Sequence, residues 1–235
     1  MNQLTFRRGL LDGLPIGLGY LSVSFAFGIF AVNSGLSAAE TSLISMTCLT
    51  SAGQLAAVPI ITGGGSLLEL IVSQIIINLR YSLMSISLSQ KLGDDVKVAD
   101  RFAIAFFNTD EIFAVASSQS GPVSRLYMYG LGVLPWLGWA GGTVFGALAG
   151  NVLPAIVTNS LGVAIYGMFI AIVLPVARQE RPVALCVAIA VALSCLFSAV
   201  PVLQRIPGGF TVILCAVTAS AVMALVAPIE EEVEA

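Results

Sequence analysis

Residues 66–90, SLLELIVSQIIINLRYSLMSISLSQ, constrain the fold more than any other stretch. The segment is long enough to cross a bilayer, which takes about 20 residues, yet Asn78 and Arg80 fall near its midpoint. A charge at mid-membrane costs at least roughly 2.5–3.5 kcal/mol, so it is rarely left facing lipid. On a helix at about 100° per residue, Glu69, Ser73, Arg80 and Ser87 fall along one line. Gln74, Asn78, Ser82, Ser85 and Ser89 fall on the far side, leaving one apolar stripe of Val72, Ile75, Leu79, Leu83 and Ile86. Such a helix belongs inside a bundle, meeting lipid along one edge.

The rest of the chain fits that setting. Only 10% of its residues are charged and 57% are hydrophobic, whereas soluble domains carry about 25% charge. The expectation is an all-α integral membrane protein, with one transmembrane domain over residues 1–235. Apolar segments run over 10–32, 41–62, 66–90, 102–117, 127–149, 155–175, 183–203 and 210–228. They give a polytopic helical bundle of about 6–8 membrane segments. The first is too long for a signal peptide and lacks a cleavage site.

Histidine is absent, which removes Ser–His hydrolysis, HExxH zinc chemistry and histidine proton relays. The four cysteines sit in apolar runs without CxxC spacing and read as packing residues. The acidic tail from Glu230 reads as a solvated end. No enzyme, cofactor, metal or nucleic-acid partner is expected, because basic residues form no patch.

Two segments are interrupted. The 41–62 stretch contains Thr50-Ser51-Ala52-Gly53-Gln54 and Pro59; the 102–117 stretch contains Asn108-Thr109-Asp110-Glu111. Irregular backbone at membrane depth is tolerated only in a protein interior or a cavity wall. The positive-inside rule tests what these segments do. If all eight cross and the N-terminus is cytoplasmic, five basic residues lie inside and four outside. If 41–62 and 102–117 each re-enter on their own side, eight lie inside and only Arg205 outside. The second topology fits better. It brings Ser51–Gln54 and Asn108–Glu111 toward the midplane near Arg80, as the discontinuous helices of secondary transporters do. A weak repeat also links Leu14-Pro15 and Phe27-Gly28 to Leu134-Pro135 and Phe145-Gly146.

The polar clusters follow one order: GLPIGLGY from Gly13, SAGQ from Ser51, NLRY from Asn78, NTDEIFA from Asn108, then Trp136, Trp139 and GTVFGA from Gly142. In this the chain resembles the AzlC family, the large subunit of bacterial branched-chain amino acid exporters. The resemblance implies a multi-pass permease of the cytoplasmic membrane. It also implies a small AzlD-type membrane subunit as partner, and leucine, isoleucine or valine as substrate. Two departures stand out. The family often has Arg-His where this chain has Arg80-Tyr81, and a polar or acidic residue near Leu161-Gly162-Val163.

A zwitterionic amino acid needs donors for its carboxylate and oxygens for its ammonium. Candidate substrate-binding residues are Ser51, Gly53 and Gln54 at the first break, and Thr109, Asp110 and Glu111 at the second. Asn78, Arg80 and Tyr81 lie between them, and Trp136 is a pocket or packing residue. For Arg80 three roles stay open: a buried strut paired with Asp110 or Glu111, a direct ligand, or a gating pair. Glu69, near the end of its span, reads as interfacial. The alternatives to amino acid export are a passive channel for small polar solutes or a transporter of another small metabolite.

Overall fold

A computed structural model describes residues 4–150 and 173–227, with Leu153, Pro154, Ile156, Ser160, Gly167 and Ile170 between them. The sixth apolar segment, Leu161-Gly162-Val163 and the acidic tail lie outside the described residues. Among those described, the secondary structure is helical apart from one isolated bridge, Leu92–Val123. Among the described residues five helices are long and apolar enough to cross a membrane: α1 (Phe6–Asn33), α4 (Leu67–Lys91), α7 (Arg125–Ala149), α8 (Arg181–Ala199) and α9 (Gly208–Val226). The two segments expected to be interrupted are helix pairs. They are α2 (Ala38–Thr47) with α3 (Ser51–Thr62), and α5 (Val98–Phe107) with α6 (Asp110–Ser117).

The chain forms two compact units, Met1–Val58 with Ile77–Ile165, and Pro59–Ile76 with Tyr166–Ala235. The first is built on α1 and α7, which pack along glycines. A methyl group on Gly9 would lie 2.2 Å from the Tyr127 carbonyl oxygen, on Gly28 2.3 Å from that of Thr143, and on Gly146 2.0 Å from that of Phe25. Only glycine permits backbones this close, which is how helices gain contact in lipid. The partners rise together along both helices, so α1 and α7 are parallel. The weak repeat noted in the sequence thus marks two helices that face each other. Pro15 and Pro135 lie inside them without ending either.

Chain direction in this unit follows from its contacts. Lys91 Nζ donates to the Ser117 carbonyl at 2.6 Å, Ser124 Oγ to that of Leu4 at 2.6 Å, and the Arg125 amide to Asp95 at 2.9 Å. The end of α4, the end of α6 and the starts of α1 and α7 therefore share one end of the unit. Leu88, Ile104, Ile112, Ala116, Val123 and Tyr127 fill the core there. α5 leaves that end and α6 returns to it, so 102–117 re-enters. Arg7, Arg8, Lys91, Lys97, Arg101 and Arg125 all sit at this basic end, as the re-entrant charge count requires.

α2 starts beyond Asn33, at the opposite end, meets α7 at Ser45–Thr143 (2.8 Å) and reaches its middle, where Trp136 donates to the Met46 carbonyl at 3.1 Å. Over Ile77–Lys91, α4 runs toward the basic end, antiparallel to α1 and α7. Because α4 is unbroken from Leu67, α3 has to carry the chain back toward the side from which α2 came. The apolar stripe of α4 faces outward as expected, Ile75, Leu79, Leu83 and Ile86 all being exposed.

In the second unit α8 and α9 pack together, joined through a 3₁₀ turn at Leu203–Arg205. Glu69, in the first turn of α4, is 3% exposed, its carboxylate accepting the Gly209 amide at 2.8 Å in the first turn of α9. An acid at a helix N-terminus satisfies an orphan N–H and the helix dipole together, which offsets its burial. α3 ends at Gly63-Gly64-Gly65 with Gly64 at φ +71°, a left-handed cap that suits glycine.

Two outcomes follow. Gly146→Val forces α1 from α7 and should cost at least about 1–3 kcal/mol, seen as a lower melting temperature and yield in detergent. Asp100 accepts hydrogen bonds from Tyr129 Oη at 2.7 Å and the Lys97 amide at 2.9 Å. These donors, the tyrosine first, hold its carboxyl below the ordinary range. A depressed value adds stability above the unfolded value of about 3.9, lost as pH falls through the folded one. Melting curves of Asp100→Asn between pH 3 and pH 7 should be flatter at the acid end than those of the parent.

Candidate functional site

Both interruptions lie at mid-depth in the first unit. The second is fixed by Tyr20, near the middle of α1, whose hydroxyl lies 2.8 Å from Thr109 Oγ1 and 2.5 Å from a Glu111 carboxylate oxygen. Thr109 is the N-cap of α6, but its side chain makes no cap hydrogen bond and is turned to Tyr20 instead. Asn108, in the break, donates from Nδ2 to Ser85 Oγ on α4 at 3.0 Å. At the first break Thr50 Oγ1 accepts the Gly53 amide at 3.3 Å, capping α3. Tyr81 on α4 lines the same cavity wall as Thr50.

A cavity of about 220 Å³ lies between the breaks. Thr47, Cys48, Thr50, Asn78, Tyr81, Asn108 and Thr109 give it polar lining; Leu49, Ala105 and Phe106 give it apolar lining. It is smaller than the roughly 300–1,000 Å³ of drug-sized pockets and suits a small metabolite. The first turns of α3 and α6 open beside it, so two partial positive charges meet there.

The charged residues stand at its edge. Arg80 Nη1 lies 2.5 Å from an Asp110 oxygen, and its guanidinium stacks on the Tyr81 ring at 4.8 Å from the centroid. Of the two carboxylates, Asp110 pairs with Arg80 and Glu111 with Tyr20, as expected for adjacent residues pointing apart on a helix. The Arg80–Asp110 pairing is one that the sequence allowed, and its side chains are 53% and 44% exposed. Charges at this depth face a bundle interior or a water-filled space rather than lipid.

Of the ten sequence candidates, Asn78, Tyr81 and Thr109 line the cavity, and Arg80, Asp110 and Glu111 flank it. Ser51 and Gly53 stand in the first turn of α3, next to the lining residue Thr50. Gln54 is 1% exposed and held by other partners. Its amide oxygen accepts from Ser45 at 2.8 Å and Trp139 at 3.3 Å, and its amide nitrogen donates to the Cys48 carbonyl. Trp136 donates to the Met46 carbonyl at 3.1 Å and lines a separate apolar depression with Phe145. Sequence reasoning passed over Tyr20, Thr50, Ser85 and Asn108 as site residues. For Tyr20 the available signal was a phenol hydroxyl inside an apolar span, which needs a partner there.

Parallel α1 and α7, with interrupted helices entering from opposite ends, define a polytopic membrane protein with a polar site at mid-depth. The AzlC protein family model matches residues 15–153, more than half of the chain, and the chain belongs to that family. It is 34% identical over 172 residues to an uncharacterized membrane protein of Archaeoglobus fulgidus, covering 72% of this chain and 75% of that protein. It is also 31% identical over 191 residues to inner membrane protein YgaZ of Escherichia coli, covering 78% of this chain and 77% of that protein. No solved structure matches. Family and fold together indicate a membrane transport role.

A double-mutant cycle tests the ion pair. The losses in melting temperature of Arg80→Ala and Asp110→Ala should sum to more than the loss in the double variant. Because both side chains are half exposed, the coupling should be about 0.5–1 kcal/mol, at the low end for contacting residues.

Proposed function

We propose that this chain is the large subunit of a permease that exports branched-chain, aliphatic amino acids across the bacterial cytoplasmic membrane. It works by ion- or proton-coupled alternating access with a small AzlD-type subunit. The observation that carries this reading is the convergence of two half-helix N-termini on one small cavity, beside a guanidinium and two carboxylates. Helix N-termini favour a substrate carboxylate. Glu111 and the Asp110 oxygens suit an ammonium, and Leu49, Ala105 and Phe106 suit an aliphatic side chain. Family membership, the inner-membrane name of the relative from Escherichia coli and the basic residues gathered at one end support the location and orientation. The basic end is then cytoplasmic.

Cells lacking the protein should accumulate more leucine or valine, and Asp110→Asn should abolish rescue. Normal export by both Asp110→Asn and Glu111→Gln would refute this site. Opposed re-entrant segments also build pores, so labelled-leucine counterflow in proteoliposomes separates the readings: a carrier exchanges substrate and a channel does not.

A further inference from the structure

The interrupted helices are not independent features. Each follows a long helix, and the two sets match in order and spacing. α1, α2 and α3 begin at residues 6, 38 and 51; α4, α5 and α6 begin at 67, 98 and 110. α2 and α5 are both 10 residues long. Each has an acid in its first turn that accepts the N-cap amide, Glu40 from Ser37 at 2.8 Å and Asp100 from Lys97 at 2.9 Å. Each pair resumes after a threonine, Thr50 or Thr109. The sets run in opposite directions, since α1 leaves the basic end and α4 approaches it, while α2 and α5 enter from opposite ends.

The correspondence reaches single side chains. Tyr20 is residue 15 of α1 and Tyr81 is residue 15 of α4, counted along the helices. Tyr20 bonds Thr109 and Glu111 of the second set, and Tyr81 lines the cavity together with Thr50 of the first. Each pairing crosses from one set to the other. By contrast, the Arg80–Asp110 pair and the Asn108–Ser85 bond stay within the second set.

We propose that α1–α3 and α4–α6 are inverted repeats, and that Tyr20 and Tyr81 are equivalent positioning residues that latch the two gates of the cavity. The Tyr20 latch holds α5–α6, which closes the cavity toward the basic end. The Tyr81 latch holds α2–α3, which closes it toward the opposite end. Rocking one repeat against the other breaks one latch at a time and leaves the Arg80–Asp110 pair intact. This rests on the transport reading above, in which the cavity alternates between faces.

Cys48 supplies the reporter, being half-buried and part of the cavity lining. With Cys186, Cys195 and Cys215 replaced by alanine, the full chain is expressed, and right-side-out and inverted membrane vesicles are treated with a membrane-impermeant maleimide. Tyr20→Phe should raise the Cys48 labelling rate from the basic-end face, and Tyr81→Phe from the opposite face. Each gain should be about three- to tenfold, as when one hydrogen bond stops weighting one conformer. Thr109→Val removes one of the two bonds that Tyr20→Phe removes, the Glu111 bond remaining, so it should give the same sidedness with a smaller gain, which general loosening would not. Gains on the same face for both tyrosine variants, equal rates in all variants, or a Cys48 that never labels would overturn the proposal. Labelling needs no substrate, so sided labelling without leucine counterflow would refute the substrate and leave the gates standing.

Discussion

Backbone that stops being helical inside a membrane must find its hydrogen bonds within the protein, and the first unit is organised around meeting that demand twice. At the α2–α3 break the Cys48 carbonyl is taken by Gln54, and the Gly53 amide by Thr50. Gln54 is in turn held by Ser45 and Trp139, and Ser45 by Thr143, so α7 stabilises the break from behind. At the α5–α6 break the Thr109 amide closes onto the Phe107 carbonyl, while Asn108 and Thr109 take partners on α4 and α1. The polar side chains on these long helices are the groups that make the interruptions possible.

That support depends on a platform that does not move. α1 and α7 approach so closely at Gly28, Gly138 and Gly146 that a methyl group at any of them would overlap opposing backbone. Interiors packed this tightly shift between discrete arrangements rather than deforming smoothly. α1 therefore keeps its place against α7, and the proposed rocking falls where the two repeats meet through side chains.

Much of this was legible in the sequence where a residue was out of place for its surroundings. Asn108-Thr109-Asp110-Glu111 in an apolar run read as a break, and the lysines and arginines around it made re-entry the better fit. Residues fitting two settings were harder to read. Glu69, one turn into its span, read as interfacial, and nothing local marks its partner, a backbone amide 140 positions away. Tyr20 passed as an aromatic in an apolar helix, since nothing local marks the Thr109 and Glu111 contacts. The α1–α3 and α4–α6 correspondence is concealed because the equivalent positions are chemically unlike: Ser51 answers to Asp110, Ala52 to Glu111 and Gly19 to Arg80.

That inequality separates the scaffold from the chemistry. Two matching frames place a tyrosine near a threonine twice, Tyr20 bonded to Thr109 and Tyr81 sharing the cavity lining with Thr50. Every charge at the site comes from the second frame alone. Arg80 and Asp110 therefore travel together when the frames move, and neither has to be stripped of its partner at mid-membrane, where an unpaired charge is most costly. Glu111 differs: its partner Tyr20 belongs to the other frame. Motion that separates Tyr20 from Thr109 also frees this carboxylate toward the basic end, coupling the state of that gate to the one acid at the site without a cationic partner among the described contacts.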